Sequence, residues 1–139
     1  MDRRRAYLDS SVALRVLLRE PEALPIQAHW DLVASELFEV EVRRTLHRLN
    51  LGGTLPAESL ALRISDLRLL LSSVDQIPVT KAILNRAAGP MPVPVKTLDA
   101  IHLATALTWS EHHGREILFL THDRQLATAA RVCGLTVHP

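Results

Sequence analysis

The chain has 139 residues, 47% of them hydrophobic, with 5 Gly, 8 Pro and a formal net charge of +1. That length suits one domain spanning residues 1–139, in which folding hides roughly two-thirds of the unfolded chain's surface. The composition excludes a disordered chain, and a charge so close to zero selects no class of partner. The cations are nearly all Arg, a residue suited to phosphate but also favoured by GC-rich genomes.

The N-terminus has a basic start, but Asp9 and Arg15 interrupt any apolar stretch, so no signal peptide is expected. No run approaches the roughly 18 apolar residues of a membrane span. AYL (6–8) predicts a short strand ending at Asp9, and SVALRVLLRE a helix capped by Ser10 or Ser11. A short helical piece, PEALPIQAH, precedes a strand at 31–35 and a long helix running to about Asn50. The LGGT turn carries no Lys-Ser/Thr, so it is not a phosphate-binding P-loop. The segment 57–73 is amphipathic, with Leu60, Ile64, Leu67 and Leu71 on one stripe. VDQIPV predicts a strand, TKAILNRAAG a short helix, and TLDAIHLATALTWSEHH a helix opened by Thr97. EILFLT reads as a buried strand, DRQLATAARVCG as a helix ended by Gly134, and LTV as a last strand. The lone Cys133 forms no internal disulfide; in its apolar setting it is expected to be a small buried hydrophobe in a reducing cytoplasm. Strands alternating with helices predict an α/β fold with a parallel sheet covered on both faces.

Four acids stand out by position. Asp9 ends the first strand and Asp123 follows the strand Ile117–Leu120, and in open parallel sheets the functional crevice lies beyond the carboxyl ends of the strands. Either could simply cap the next helix. On a wheel of about 100° per residue, Glu41 falls among Leu37, Phe38, Val42, Thr45, Leu46 and Leu49, whereas Glu36 and Glu39 fall outside that half. A carboxylate pointing inward needs a partner, either an Arg or a metal. The helix from Thr97 is apolar on nearly every side, and Asp99 and His102 are its main polar interruptions. Asp99 could serve only the helix dipole, and His102 could be a satisfied core histidine.

Several inward acids repel. At about 4 Å, two unit charges cost roughly 4 kcal/mol at an effective dielectric near 20. A divalent cation offsets that repulsion, and oxygen-only ligation suits Mg²⁺ or Mn²⁺ rather than Zn²⁺. Such an ion is suited to phosphodiester hydrolysis. The histidines lack a His-Glu-x-x-His spacing, and His112 and His113 point to different sides of a helix.

The blocks YLDSSVAL, SELFEVEVRRTL, TLDAIHLATAL and FLTHDRQLATAARVCGL, in this order along almost the whole chain, resemble the PIN-domain family and within it the VapC-type toxins of bacterial toxin–antitoxin pairs. The resemblance implies a five-stranded parallel sheet in the order 3-2-1-4-5, with Asp9 and Asp123 facing each other across the switch point. It implies a Mg²⁺- or Mn²⁺-dependent endoribonuclease, a homodimer and inhibition by a small cognate antitoxin. Asp9, Glu41 and Asp99 fall on the three core acids and Asp123 on a fourth, more variable one. Thr121 falls where a Ser or Thr often stands near the metal, and Ser10 on the small polar residue after the first acid. The first helix and the helix 57–73, both rich in Leu, are expected to serve the dimer or the antitoxin. The alternatives are a PIN nuclease that processes RNA without an antitoxin and a non-catalytic interaction module. A phosphoacceptor signalling domain lacks its acidic pair and Lys here, and a dehalogenase-type phosphatase lacks the second acid of Asp-x-Asp.

Overall fold

The computed structural model describes residues 3–138. The elements run β1 (Arg4–Leu8), α1 (Ser10–Leu17), α2 (Ile26–His29), β2 (Trp30–Ser35), α3 (Leu37–Leu51), α4 (Ala57–Leu71), β3 (Val74–Ile77), α5 (Lys81–Ala88), α6 (Thr97–His113), β4 (Leu118–Leu120), α7 (Arg124–Val132) and β5 (Thr136–His138). The strands form one sheet in the order β3-β2-β1-β4-β5, and every pairing is parallel.

Side chains alternate along a strand, and this divides the core in two. Ala6 and Leu8 of β1 join Leu32, Ala34, Leu118 and Leu120 against α1, α3 and α4. Tyr7 joins Val33 and Phe119 against Leu103 and Ala106 of α6 and Leu126 and Ala129 of α7. Because both faces are covered, the central strands read as unbroken apolar runs rather than as alternating ones.

The chain first winds outward from β1 to β2 and β3, then returns through α5 and α6 to β4 on the other side of β1. Right-handed crossovers place the outward and returning helices on opposite faces. The switch point therefore lies between β1 and β4, where Leu8 pairs with Leu120 and the Asp9 backbone N–H donates to the Leu120 carbonyl at 3.1 Å. A crevice opens beyond this point.

Some local expectations are corrected. Neither Ser10 nor Ser11 caps α1: Asp9 holds the cap position with an extended backbone, and its side chain makes no capping bond because its carboxylate is occupied elsewhere. Cys133 is half-buried rather than buried, since it follows the last turn of α7 at the rim of the second core. Gly134 ends that helix at φ +92°, where a side chain would be strained. The α4 stripe holds, with Leu67 and Leu70 buried and Leu60, Ile64 and Leu71 packed against them. On the other face of α4, Leu62 and Leu69 are 58% and 67% exposed. The apolar residues of α1 mostly cover the core of their own domain, so the surplus of exposed leucine expected from both helices belongs to α4.

Candidate active site

Asp9 and Asp123 follow β1 and β4, the two strands of the switch point, while Glu41 and Asp99 come from α3 and α6, helices packed against β2 on opposite faces of the sheet. Asp9 follows β1 and is only 5% exposed. Its Oδ2 accepts from Ser11 Oγ at 2.5 Å and from Thr121 Oγ1 at 2.8 Å. Thr121, immediately beyond β4, also accepts from the Asp123 backbone N–H at 3.0 Å, and Ser11 accepts from the His122 N–H at 3.0 Å. These two hydroxyls tie the ends of β1 and β4 into one unit. Thr121, which the resemblance puts near the acids, does bond Asp9 directly. At the first strand, however, Ser11 reaches the acid; Ser10 instead lines a groove with Glu41. One residue's difference turns the direction of a helical side chain by about 100°, and only the strand-to-helix turn decides which serine faces Asp9.

Glu41 projects from α3 with its side chain one-fifth exposed, and its Oε1 bonds His102 Nε2. Its partner in the protein is therefore a histidine rather than an arginine. His102 is fully buried on α6, and its Nδ1 lies 2.6 Å from the Tyr7 hydroxyl. That hydroxyl in turn accepts from the Ser35 backbone N–H at 3.3 Å. Burial disfavours protonation of His102, but the bond to Glu41 and the charges of Glu41, Asp9 and Asp99 outweigh it and raise its pKa above the ordinary value. Burial pushes the Tyr7 phenol far up, so it remains a neutral hydroxyl. A tyrosine in a buried strand needs a partner for its O–H; that was the one available sign of Tyr7 in the sequence.

Asp99 sits half-buried in the first turn of α6. Its carboxyl is held above the usual range by burial first, then by Asp9 and Asp123; Glu41 adds to the effect and His102 opposes it. Asp123 is exposed and caps α7, its Oδ1 accepting from Leu126 N–H at 3.1 Å. The helix-cap reading thus holds for the side chain of Asp123 and fails for that of Asp9.

Among the described residues, no three His, Cys, Asp or Glu side chains stand together as ligands of one ion. Glu41 is turned toward His102 and Asp123 toward its own helix, which keeps like charges apart. The donor set nonetheless fits a hard cation. It consists of oxygens, and Asp9, Glu41 and Asp123 each use one carboxylate oxygen on a protein donor, leaving the other. Asp99 carries a repulsion that a cation relieves.

Three grooves open from the acids, and each carries cations. Glu41 shares one of about 340 Å³ with Arg44 and Arg48, Asp99 another with Lys96, and Asp123 a third with Arg124 and Arg131. Among the described residues none of these five cations is in an ion pair. A mostly apolar cleft of about 710 Å³ lies elsewhere, between α5 and the start of α6, and none of the four acids lines it.

Comparison with known proteins gives a consistent picture. The family profile described as PIN domain matches residues 6–132. Ribonuclease VapC46 of Mycobacterium tuberculosis is 33% identical over 135 residues, covering 94% of each chain. Among solved structures, VapBC2 from Rickettsia felis bound to a DNA fragment from its promoter aligns with a TM-score of 0.67 at 10% identity, covering 96% of this chain and 97% of that one. A toxin–antitoxin complex from Klebsiella pneumoniae aligns with a TM-score of 0.53 at 20% identity, covering 85% and 86%.

Proposed function

This chain belongs to the PIN-domain family, and from that premise we propose that it is a Mg²⁺- or Mn²⁺-dependent endoribonuclease, the toxin of a toxin–antitoxin pair. The observation that carries the reading is that Asp9 and Asp123 follow the two neighbouring strands β1 and β4, while burial and the charges of Asp9, Asp123 and Glu41 hold the Asp99 carboxyl above its usual range, a repulsion that a bound cation would relieve. A relative of comparable length is named a ribonuclease, which supports RNA as the substrate.

The four carboxylates would hold the cation, which when bound supplies a Lewis acid for a phosphoryl oxygen and a water of lowered pKa. Ser11 and Thr121 fix the Asp9 carboxylate through its Oδ2. Arg44 and Arg48 on one side, and Arg124 and Arg131 on the other, bind the phosphates flanking the cleaved bond, a task for which the guanidinium fork is shaped. The solved toxin–antitoxin complex of the same fold supports a small antitoxin as partner. Such a partner neutralises the acidic crevice with a basic side chain and covers apolar surface such as Leu62 and Leu69 of α4. A homodimer and a cytoplasmic setting complete the proposal.

The test is cleavage of single-stranded RNA by the purified chain with Mg²⁺, with Mn²⁺ and with EDTA. Cleavage that requires the ion and stops in EDTA is expected. Full cleavage in EDTA overturns the metal-dependent mechanism, and failure to cleave RNA under every condition overturns the nuclease assignment. Sequencing RNA ends after brief induction in cells would then identify the RNA.

A further inference from the structure

Tyr7 and His102 are two fully buried polar side chains that the proposed chemistry leaves unused. They lie 95 residues apart in sequence yet 2.6 Å apart in space. With Ser35 and Glu41 they form a continuous hydrogen-bonded chain across β2, β1, α6 and α3.

The direction of this chain follows from its ends. The Ser35 backbone N–H can only donate, so it gives its proton to the Tyr7 oxygen. The Glu41 carboxylate accepts, so the His102 ring must present an N–H at Nε2. A neutral imidazole carries one proton, on either nitrogen. Were that proton on Nδ1, the Nε2 lone pair would face the Glu41 carboxylate and repel it. The Tyr7 O–H prevents this by donating to Nδ1. In the imidazolium both nitrogens carry protons, and Nε2 again donates to Glu41. In either charge state, then, His102 offers the same Nε2–H to the same carboxylate oxygen, with the Tyr7 oxygen donating to Nδ1 of the neutral ring or accepting from Nδ1–H of the imidazolium.

We infer that Tyr7 and His102 are positioning residues that hold Glu41 by one oxygen and so set the orientation of its other oxygen for the cation. The inference rests on the proposed metal site, and on geometry rather than on titration. The arrangement is that of an outer-shell support, which fixes a ligand by bonding the part of it that the metal does not use. It also explains why a histidine sits fully buried on α6 beside Leu103 and Ala106, and why β1 carries a tyrosine where phenylalanine would stack equally well on Phe119, at a centroid separation of 5.2 Å.

The test is calorimetric titration of Mn²⁺ into the full chain. Four proteins are compared: wild type, Tyr7→Phe, Glu41→Gln and the double variant, each checked for folding by circular dichroism in EDTA. Tyr7→Phe removes only the hydroxyl and should weaken Mn²⁺ binding about tenfold, the low end for loss of an outer-shell partner. The double variant should bind no more weakly than Glu41→Gln alone, because Tyr7 acts through Glu41. Wild-type affinity in folded Tyr7→Phe, or a loss that adds fully to that of Glu41→Gln, overturns the inference. A second pair serves should Tyr7→Phe not fold. His102→Gln, whose amide can supply an N–H in place of Nε2, should bind Mn²⁺ more tightly than His102→Leu, and equal affinities overturn the inference. Wild type that takes up no Mn²⁺ overturns the metal reading and the positioning role together, whereas wild type that binds with Tyr7→Phe unaffected overturns the positioning role alone.

Discussion

Replacing Thr121 by Val keeps the shape of the side chain and removes one hydroxyl, which bonds to both ends of the switch point. It donates to the Asp9 carboxylate at 2.8 Å and accepts the Asp123 N–H at 3.0 Å, on a residue only 5% exposed. A hydrogen bond to a charged group contributes about 1.5–3 kcal/mol and a neutral one about 1 kcal/mol. Ser11 still donates to the same Asp9 oxygen, which leaves Asp9 partnered and places the first contribution near the bottom of its range. The expected loss is therefore about 2–3 kcal/mol. At this chain length 1 kcal/mol corresponds to roughly 3–5 °C in Tm, so the valine variant should melt about 10 °C below wild type. Thr121→Ser is the control: it keeps the hydroxyl and gives up one methyl group, worth about 1 kcal/mol. Thermal melts in EDTA compare the three, since EDTA removes any contribution from a bound ion. If the valine variant melts within about 2 °C of the serine variant, the hydroxyl does not join β1 to β4 and this account of how Asp9 is held is wrong.

Asp99→Asn should leave the metal-free protein at pH 7 as stable as wild type or more so, because the carboxyl's pKa is raised by burial, Asp9 and Asp123. The sign follows from linkage: a carboxyl whose folded pKa lies above its unfolded one penalises folding when ionised. The advantage of Asn should therefore shrink as pH falls through the raised pKa and vanish below the unfolded value. Urea melts at several pH values check this, and a large loss of stability at pH 7 would assign Asp99 a structural role instead. The same variant should gain less stability from added Mg²⁺ than wild type does. Arg44→Ala and Arg48→Ala should each raise KM for RNA more than they lower kcat. Each should also reduce the slope of log affinity against log salt by up to about 0.7 for every single-strand phosphate it no longer neutralises; unchanged slopes would remove them from the substrate track. Leu62→Asp combined with Leu69→Asp should leave the fold intact and weaken co-purification of the antitoxin or dimerisation by light scattering, and unaltered assembly would leave that face of α4 without its proposed role.

The sequence by itself determined the class of fold and the position of the acids. Alternating apolar strands and helices specify a parallel sheet, and the carboxyl ends of its strands locate Asp9 and Asp123 without knowledge of their neighbours. Helical periodicity likewise turns Glu41 inward and leaves Glu39 to a surface pairing with Arg43. These are properties of local chain geometry, with periods of 2 and 3.6 residues. The strand order came from the likeness of four blocks to a known family, not from periodicity. What only the tertiary structure decided is which group meets which. Ser11 rather than Ser10 reaches Asp9, Thr121 serves two acids at once, and Glu41 finds a histidine held by a tyrosine on a strand. The bonds of Thr121 to Asp9, of His102 to Glu41 and of Tyr7 to His102 join residues far apart in the chain, and depend on which strands are neighbours and in what register. A shift of β1 by one residue would turn Tyr7 away from His102 and toward α1, with no change in the apolar pattern that made the strand recognisable.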